Sequence, residues 1–290
     1  MTGTKLRLSV LIGVVAGLGI MVFVNHHEGD PLAALFNMES AVIVLGGCFT
    51  AGLCHFSWHG IAQSVRKSKW LVHPPEVDPE RLIVRFEGWA RIARRDGVLA
   101  LQSALKETAG EKLLHDGLQM VVDGTEIDTL RTLLHQRVET DATENEEPGT
   151  FWDAMGGYAP TLGVLGAVMG LIHVMLHLGG GMNALGQGIA TAFTATMYGV
   201  GLANLVFIPI GKRLSAIAAD LDRSGAMAVE GLVLLAGGAN PQTLRTHLQG
   251  FVSGAGAKGG KAKATVGENA NNAESGAPDD DAIAGAPARG

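Results

Sequence analysis

The sequence predicts an all-α integral membrane protein with four transmembrane helices, a helical cytoplasmic domain between spans two and three, and a cytoplasmic C-terminal helix. Three observations carry this: charge-free stretches of the length a bilayer requires, Lys and Arg confined to one side of them, and apolar residues at helical spacing in the charged remainder. No Asp, Glu, Lys or Arg occurs in residues 8–24, 40–65 or 154–211. A hydrocarbon core about 30 Å thick takes roughly 20 apolar residues per helix, so the first two stretches fit one span each and the third fits two.

The first span begins behind Lys5 and Arg7, flanks that would also suit a signal peptide. No small-x-small cleavage pattern stands at a suitable place after the run, which continues to Val24 before the polar Asn25, His26, His27 and Glu28, so a retained helix is expected. The second span holds both cysteines, Cys48 and Cys54, as small packing residues, which excludes a disulfide framework. Positive flanks mark the cytoplasmic side. Lys5 and Arg7 precede span one, Arg66, Lys67 and Lys69 follow span two, and Lys212 and Arg213 follow span four. The opposite side has only Glu28 and Asp30 in one loop and an uncharged glycine turn over 179–183 in the other. Both chain ends are therefore expected in the cytoplasm of a cell bounded by this inner membrane. The net charge of −6 gives no sign of a nucleic-acid partner.

These boundaries divide the chain into 1–60 (spans one and two with a short outer loop), 61–153 (cytoplasmic helices), 154–211 (spans three and four), 212–252 (C-terminal cytoplasmic helices) and 253–290. In the cytoplasmic part, Leu82, Ile83, Phe86, Trp89, Ile92 and Ala93 recur at helical spacing, and Asp96-Gly97 breaks the pattern between two helices over 81–109. A further helix is expected over 113–138, with the acidic 139–148 as a mobile link into span three. Such a domain reads as an amphipathic platform, not as a catalytic unit. Beyond span four, Ile217, Leu221, Met227, Leu232 and Leu235 predict a helix over 214–238, and Asn240-Pro241 punctuates it before a short helix over 242–251. The Gly, Ala, Lys, Asn and Asp of the tail cannot bury enough apolar surface to offset ordering entropy, which predicts disorder from residue 253 on.

Within the spans, small residues should mark the packed faces, because lipid supplies no hydrophobic drive between helices. Gly13 with Gly17 and Gly166 with Gly170 form GxxxG pairs. Two prolines stand in the paired spans, and each removes a backbone donor: Pro160 from the carbonyl of Gly156, Pro209 from that of Leu205. Thr161, Thr191, Thr194, Thr196 and Tyr198 supply hydroxyls that can satisfy backbone or line a hydrated path. No carboxylate or lysine lies in any span, so a proton relay here would need an ionisable group from another chain or a histidine. His55 with His59 and His173 with His177 have the spacing that places two ligands on one helical face, but no third ligand completes a metal site, so packing or interfacial anchoring is expected and no metal. An intramembrane enzyme would need a nucleophile or metal constellation that the spans do not contain.

The run 158–172, with Tyr158, Pro160, Gly163, Gly166 and Gly170, resembles the third-span signature of the MotA family of flagellar motor stator proteins. The run 196–205 with Ile208-Pro209-Ile210 resembles its fourth, and residues 41–47, 230–234 and Asn240-Pro241 are similar to further family blocks in the same order. The resemblance implies a stator subunit that converts ion motive force into rotation. It implies a pentamer of this chain around a single-span, peptidoglycan-binding MotB-type partner whose aspartate supplies the missing carboxylate, and cytoplasmic helices that push on the rotor protein FliG. By position, Pro160 and Pro209 match the family's coupling prolines, and Ala167, Thr196 and Tyr198 fall on the ion pathway. Sodium-type relatives have threonines at the places of both Ala167 and Thr196, so alanine at the first points to protons as the driving ion, with no cofactor. Residues 93–101 resemble the rotor-facing segment, with Arg94 at its basic contact and Arg95, Gln102 and Glu107 nearby. Gln102 stands where the family usually has Glu, which leaves the acidic half of that contact to Asp96 or Glu107. The alternative within the superfamily is an ExbB or TolQ type subunit, or another MotA-like motor energising a non-flagellar process; four spans count against the former.

Overall fold

The computed structural model describes residues 36–176 and 182–252, with isolated positions Gly13, Ala16, Gly17, Gly19, Phe23 and His27 before them. Most of the first span, the outer loop with His26, His177 with the glycine turn, and the tail from 253 lie outside the described residues.

Every regular element among the described residues is helical. Helix α1 (Met38–His55) is one of three helices among the described residues long and apolar enough to cross a membrane. Asn37 caps it by accepting from the Ser40 N–H, and its turn Val42–Gly46 is π-helical. At Phe56 the backbone turns extended and ends the span. Ser57 then caps a separate amphipathic helix, α2 (Trp58–Lys67), which runs into the 3₁₀ turn Ser68–Leu71. The charge-free stretch 40–65 is thus one short span plus the start of a second helix, and His55 and His59 do not share a helical face.

Helix α3 (Pro79–Asp96) starts on the Asp78 cap with Pro79 in its first turn, where a missing N–H costs nothing. It ends as expected at Gly97, whose φ of 85° is open to glycine and strained for other residues. Three short turns, Val98–Leu101, Gln102–Leu105 and Lys106–Thr108, then take the place of the expected second long helix. Helix α4 (Lys112–Val122) stops at Gly124, φ 71°, where the Thr125 N–H closes on the Met120 carbonyl at 3.0 Å. This break corrects the single helix expected over 113–138.

Helix α5 (Ile127–Leu176) is one uninterrupted rod of 50 residues. At 1.5 Å per residue it is about 75 Å long, more than twice what a bilayer core spans. The acidic stretch 139–148 is the middle of this rod and not a mobile link. Arg137 pairs with Asp141, and Thr140, Thr143 and Thr150 return their hydroxyls to the carbonyls four residues earlier. Pro148 sits inside the rod and has no N–H for the Glu144 carbonyl. Lys67 of α2 supplies the donor in its place: its Nζ reaches that carbonyl at 2.7 Å and Asn145 Oδ1 at 3.0 Å. Burial pushes the Lys67 ammonium below the usual lysine range, while Glu144, Glu147 and Asp141 pull it back.

Helix α6 (Met182–Leu202) continues through a π-helical turn, Ala203–Phe207, into α7 (Ile208–Ala236). The Ile208 N–H reaches the carbonyl five residues back, Ala203. A widened turn of this kind falls just before Pro209, whose ring would press on the Leu205 carbonyl in a regular helix. A last helix, α8 (residues 241–252), turns back along α7, and Leu244 and Leu248 are fully buried.

Two cores result. In the larger one, Phe86, Leu118, Leu130, Leu134, Leu232 and Leu248 join α3, α4, α5, α7 and α8. Phe86 packs its ring on Gly231 of α7, and Glu87 beside it binds Arg91 and Arg245, which staples α8 to α3. The other core, with Cys48, Phe151, Met155, Ala159 and Phe207, lies between α1, α5 and the α6–α7 junction.

Candidate functional site

Antiparallel packing of α5 against α6 builds the site, and glycine and alanine allow the close approach. A methyl group at Gly163 would stand 2.9 Å from the Ala195 carbonyl and 3.1 Å from the Gly199 Cα; one at Gly170 would stand 3.0 Å from the Ala192 nitrogen. One at Gly199 would stand 2.5 Å from the Ala159 carbonyl. The expected small-residue seam is therefore real, though its period follows Gly156, Gly163 and Gly170 as much as the GxxxG pair.

On one side the seam is covered by α1. Gly47 meets Leu162 and Gly166 meets Ile43, while His55 Nδ1 lies 2.6 Å from the Tyr158 hydroxyl. Ser40, fully buried, donates to the Thr191 carbonyl at 2.9 Å and shares a hydrogen bond of 2.8 Å with Thr194. Asn37 completes the cluster: its side chain donates to Thr191 Oγ1 at 2.8 Å and its backbone N–H donates to the Tyr198 hydroxyl at 3.0 Å. The hydroxyls of span four that the sequence left unassigned thus mostly lock α6 to α1. Asn37 and Ser40 were missed because a polar residue at a span's outer end reads as loop. A capping Asx pattern, Asn37 three before Ser40, was the available signal.

The other side is open. At 100° per residue, Pro160 and Ala167, a heptad apart, fall on the flank of α5 opposite to Leu162 and Tyr158. Because α6 runs antiparallel, Thr196 falls on that same flank, with its Cα 3.3 Å from a methyl placed at Gly163. Pro160, Ala167 and Thr196 are all half-buried, and Thr196 Oγ1 returns to the Ala192 carbonyl at 3.3 Å. Around them Val164, Leu171, Phe193 and Val200 are exposed. The structure thus brings together three of the five residues that the resemblance implies for the ion path. Tyr198 lies across the helix from Thr196, against α1, and Pro209 lies beyond the π turn.

Below the membrane segment, Arg94, Arg95, Gln102 and Glu107 are all exposed on the tip formed by the end of α3 and the short turns after it. Since α3 runs alongside α7 away from the span, this tip is the membrane-distal end. Arg95 is held by Asp96 at 2.8 Å, which keeps the Asp96 carboxyl below and the Arg95 guanidinium above their usual ranges. Arg94 enters no salt bridge among the described residues. No cluster of three metal-binding side chains occurs among the described residues.

Comparison with known proteins returns one family. Residues 105–224 match the model of the MotA/TolQ/ExbB proton channel family. Motility protein A of Bacillus subtilis is 28% identical over 239 residues, covering 82% of this chain and 88% of that protein. The structure of C. jejuni MotAB superposes with a TM-score of 0.77 at 30% identity, over 84% of this chain and 95% of that one. The flagellar MotAB stator complex from Bacillus subtilis superposes with a TM-score of 0.75 at 27% identity, with the same coverage.

Proposed function

This chain belongs to the MotA branch of the MotA/TolQ/ExbB proton channel family and is a flagellar stator subunit, and we propose that its open flank forms half of an ion path completed by a single-span MotB-type partner. The observation that carries this reading is the flank of Pro160, Ala167 and Thr196. It is half-buried, bordered by exposed apolar side chains, and contains no ionisable group. A partner helix covers the apolar border, and its aspartate sits beside Pro160. The ion is a proton, because Ala167 offers no oxygen to replace a metal ion's water shell.

Around this site the chain is an inner-membrane protein of four spans with both ends in the cytoplasm. Three spans are long and apolar enough among the described residues. Residues 8–24 provide the fourth, and Gly17 within them stands against Leu205 of the π turn. Copies of the chain form a pentamer around the partner, and the tip with Arg94 and Glu107 engages FliG. What favours a flagellar role over an ExbB or TolQ type is the MotAB content of the solved neighbours over nearly their whole length.

Co-expression with the partner, affinity purification through this chain and flux measurement in proteoliposomes test the proposal. The partner should co-purify, and Asp→Asn in its span should abolish proton flux. Pro160→Ala should leave the complex assembled and abolish torque. Absence of a partner, or flux that depends on sodium at fixed proton motive force, would sink the reading.

A further inference from the structure

Beyond the end of the open flank, one heptad before Pro160, α5 carries a carboxylate, Asp153. Asp153 lies one heptad before Pro160, which lies one heptad before Ala167, so the three share a stripe of α5 with about 10 Å between neighbours. Asp153 is exposed and is the last charged residue before the charge-free run 154–211. Helix α7 crosses here at Gly211, where a methyl group would stand 2.6 Å from Asp153 Oδ1. Lys212 and Arg213 come next on α7, and Glu146 lies a further heptad down α5. Asp153 enters no salt bridge among the described residues.

Between Asp153 and Pro160 the stripe is bare. A methyl group on Gly157 would meet nothing within 4 Å, and Pro160 has no N–H to give to the Gly156 carbonyl. Open space at Gly157 therefore lies between the level of Pro160 and the Asp153 carboxylate.

We propose that Asp153 is the residue that receives the proton on its way from the partner's carboxyl group to the cytoplasm. The inference rests on the ion path proposed above. In the step, the O–H bond of the partner's protonated carboxyl breaks, and the proton passes through water in the open space beside Gly157. A new O–H bond forms on Asp153. Asp153 then releases the proton to bulk water, and the partner's carboxylate is left ready to reload from outside. A carboxylate at this place raises the local capacity to take protons where the path narrows against Gly211 and the apolar border.

The test uses the full complex with its co-purified partner in proteoliposomes, with proton flux read by a pH-sensitive dye. Asp153→Asn should cut flux several-fold, Asp153→Glu should keep it near the parent value, and raising the acetate concentration on the side of residue 153 should restore the Asn variant. Acetate restores a missing proton acceptor and does nothing for a misfolded helix. Asp153→Ser, with assembly checked by gel filtration, repeats the measurement should the Asn variant fail to assemble. Unchanged flux in assembled Asp153→Asn, or a loss that neither Glu nor acetate relieves, would overturn the inference. Flux that survives Asp→Asn in the partner would instead overturn the path on which it rests.

Discussion

Replacing Lys67 by methionine removes the donor that serves the Glu144 carbonyl at the point where Pro148 cannot. The geometry sets the magnitude. Lys67 Nζ donates at 2.7 Å to that carbonyl and at 3.0 Å to Asn145 Oδ1, and Gln63 Nε2 lies farther off at 3.5 Å. A hydrogen bond from a charged donor contributes about 1.5–3 kcal/mol, and the half-exposed site reduces this to about 1–2 kcal/mol. Thermal unfolding of the detergent-purified complex should show it as a fall of several degrees, at about 2–4 °C per kcal/mol. Pro148→Ala gives the Glu144 carbonyl its own intrahelical N–H. In that background Lys67→Met should cost less than half of what it costs alone, which a double-mutant cycle measures directly. Equal costs in the two backgrounds would refute the idea that Lys67 compensates for the proline.

The seam between α5 and α6 makes a second expectation. Gly199→Val overpacks against the Ala159 carbonyl and should destabilise by about 1–3 kcal/mol, while Gly186→Ala, with open space around it, should hold or raise the thermal midpoint. Ser40→Ala leaves the hydroxyl cluster between α1 and α6 short of a donor and should cost about 1 kcal/mol in the same assay; Ser40→Thr should recover part of it. At the tip, Arg94→Ala should reduce torque at high load more than Arg95→Ala, since Arg95 is already committed to Asp96. Bead assays would read the difference, and equal losses would place the rotor contact elsewhere.

Charge distribution made the spans legible, because the absence of Asp, Glu, Lys and Arg reports directly on the solvent a helix sits in. Helix ends that depend on a local cap or a positive φ were legible too, as at Asp96-Gly97 and Asn240-Pro241. Features that depend on a distant partner were not. The acidic stretch 139–148 looked mobile because its own composition gives a helix little support, and the support comes from Lys67, far away in sequence. Likewise Phe56 ends α1 without any proline or glycine to announce it, so the stretch 40–65 looked like a single span. Pro160, Ala167 and Thr196 were named together by the resemblance, but that they share one flank needed the packing of α5 against α6. Separation of Tyr198 from it needed the contact with Asn37.

The 50-residue length of α5 has a mechanical meaning. The helix runs on through Pro148 and Pro160 without a break, so its two ends are joined by continuous helix. Roughly 45 Å of it projects past the bilayer core, and a tilt of about 5° near Pro160 would sweep the far end sideways by about 4 Å, close to the rise of one helical turn. On the ion path proposed above, protonation at the scale of a single bond would thereby become a stroke the size of a side chain, with the gain set by helix length.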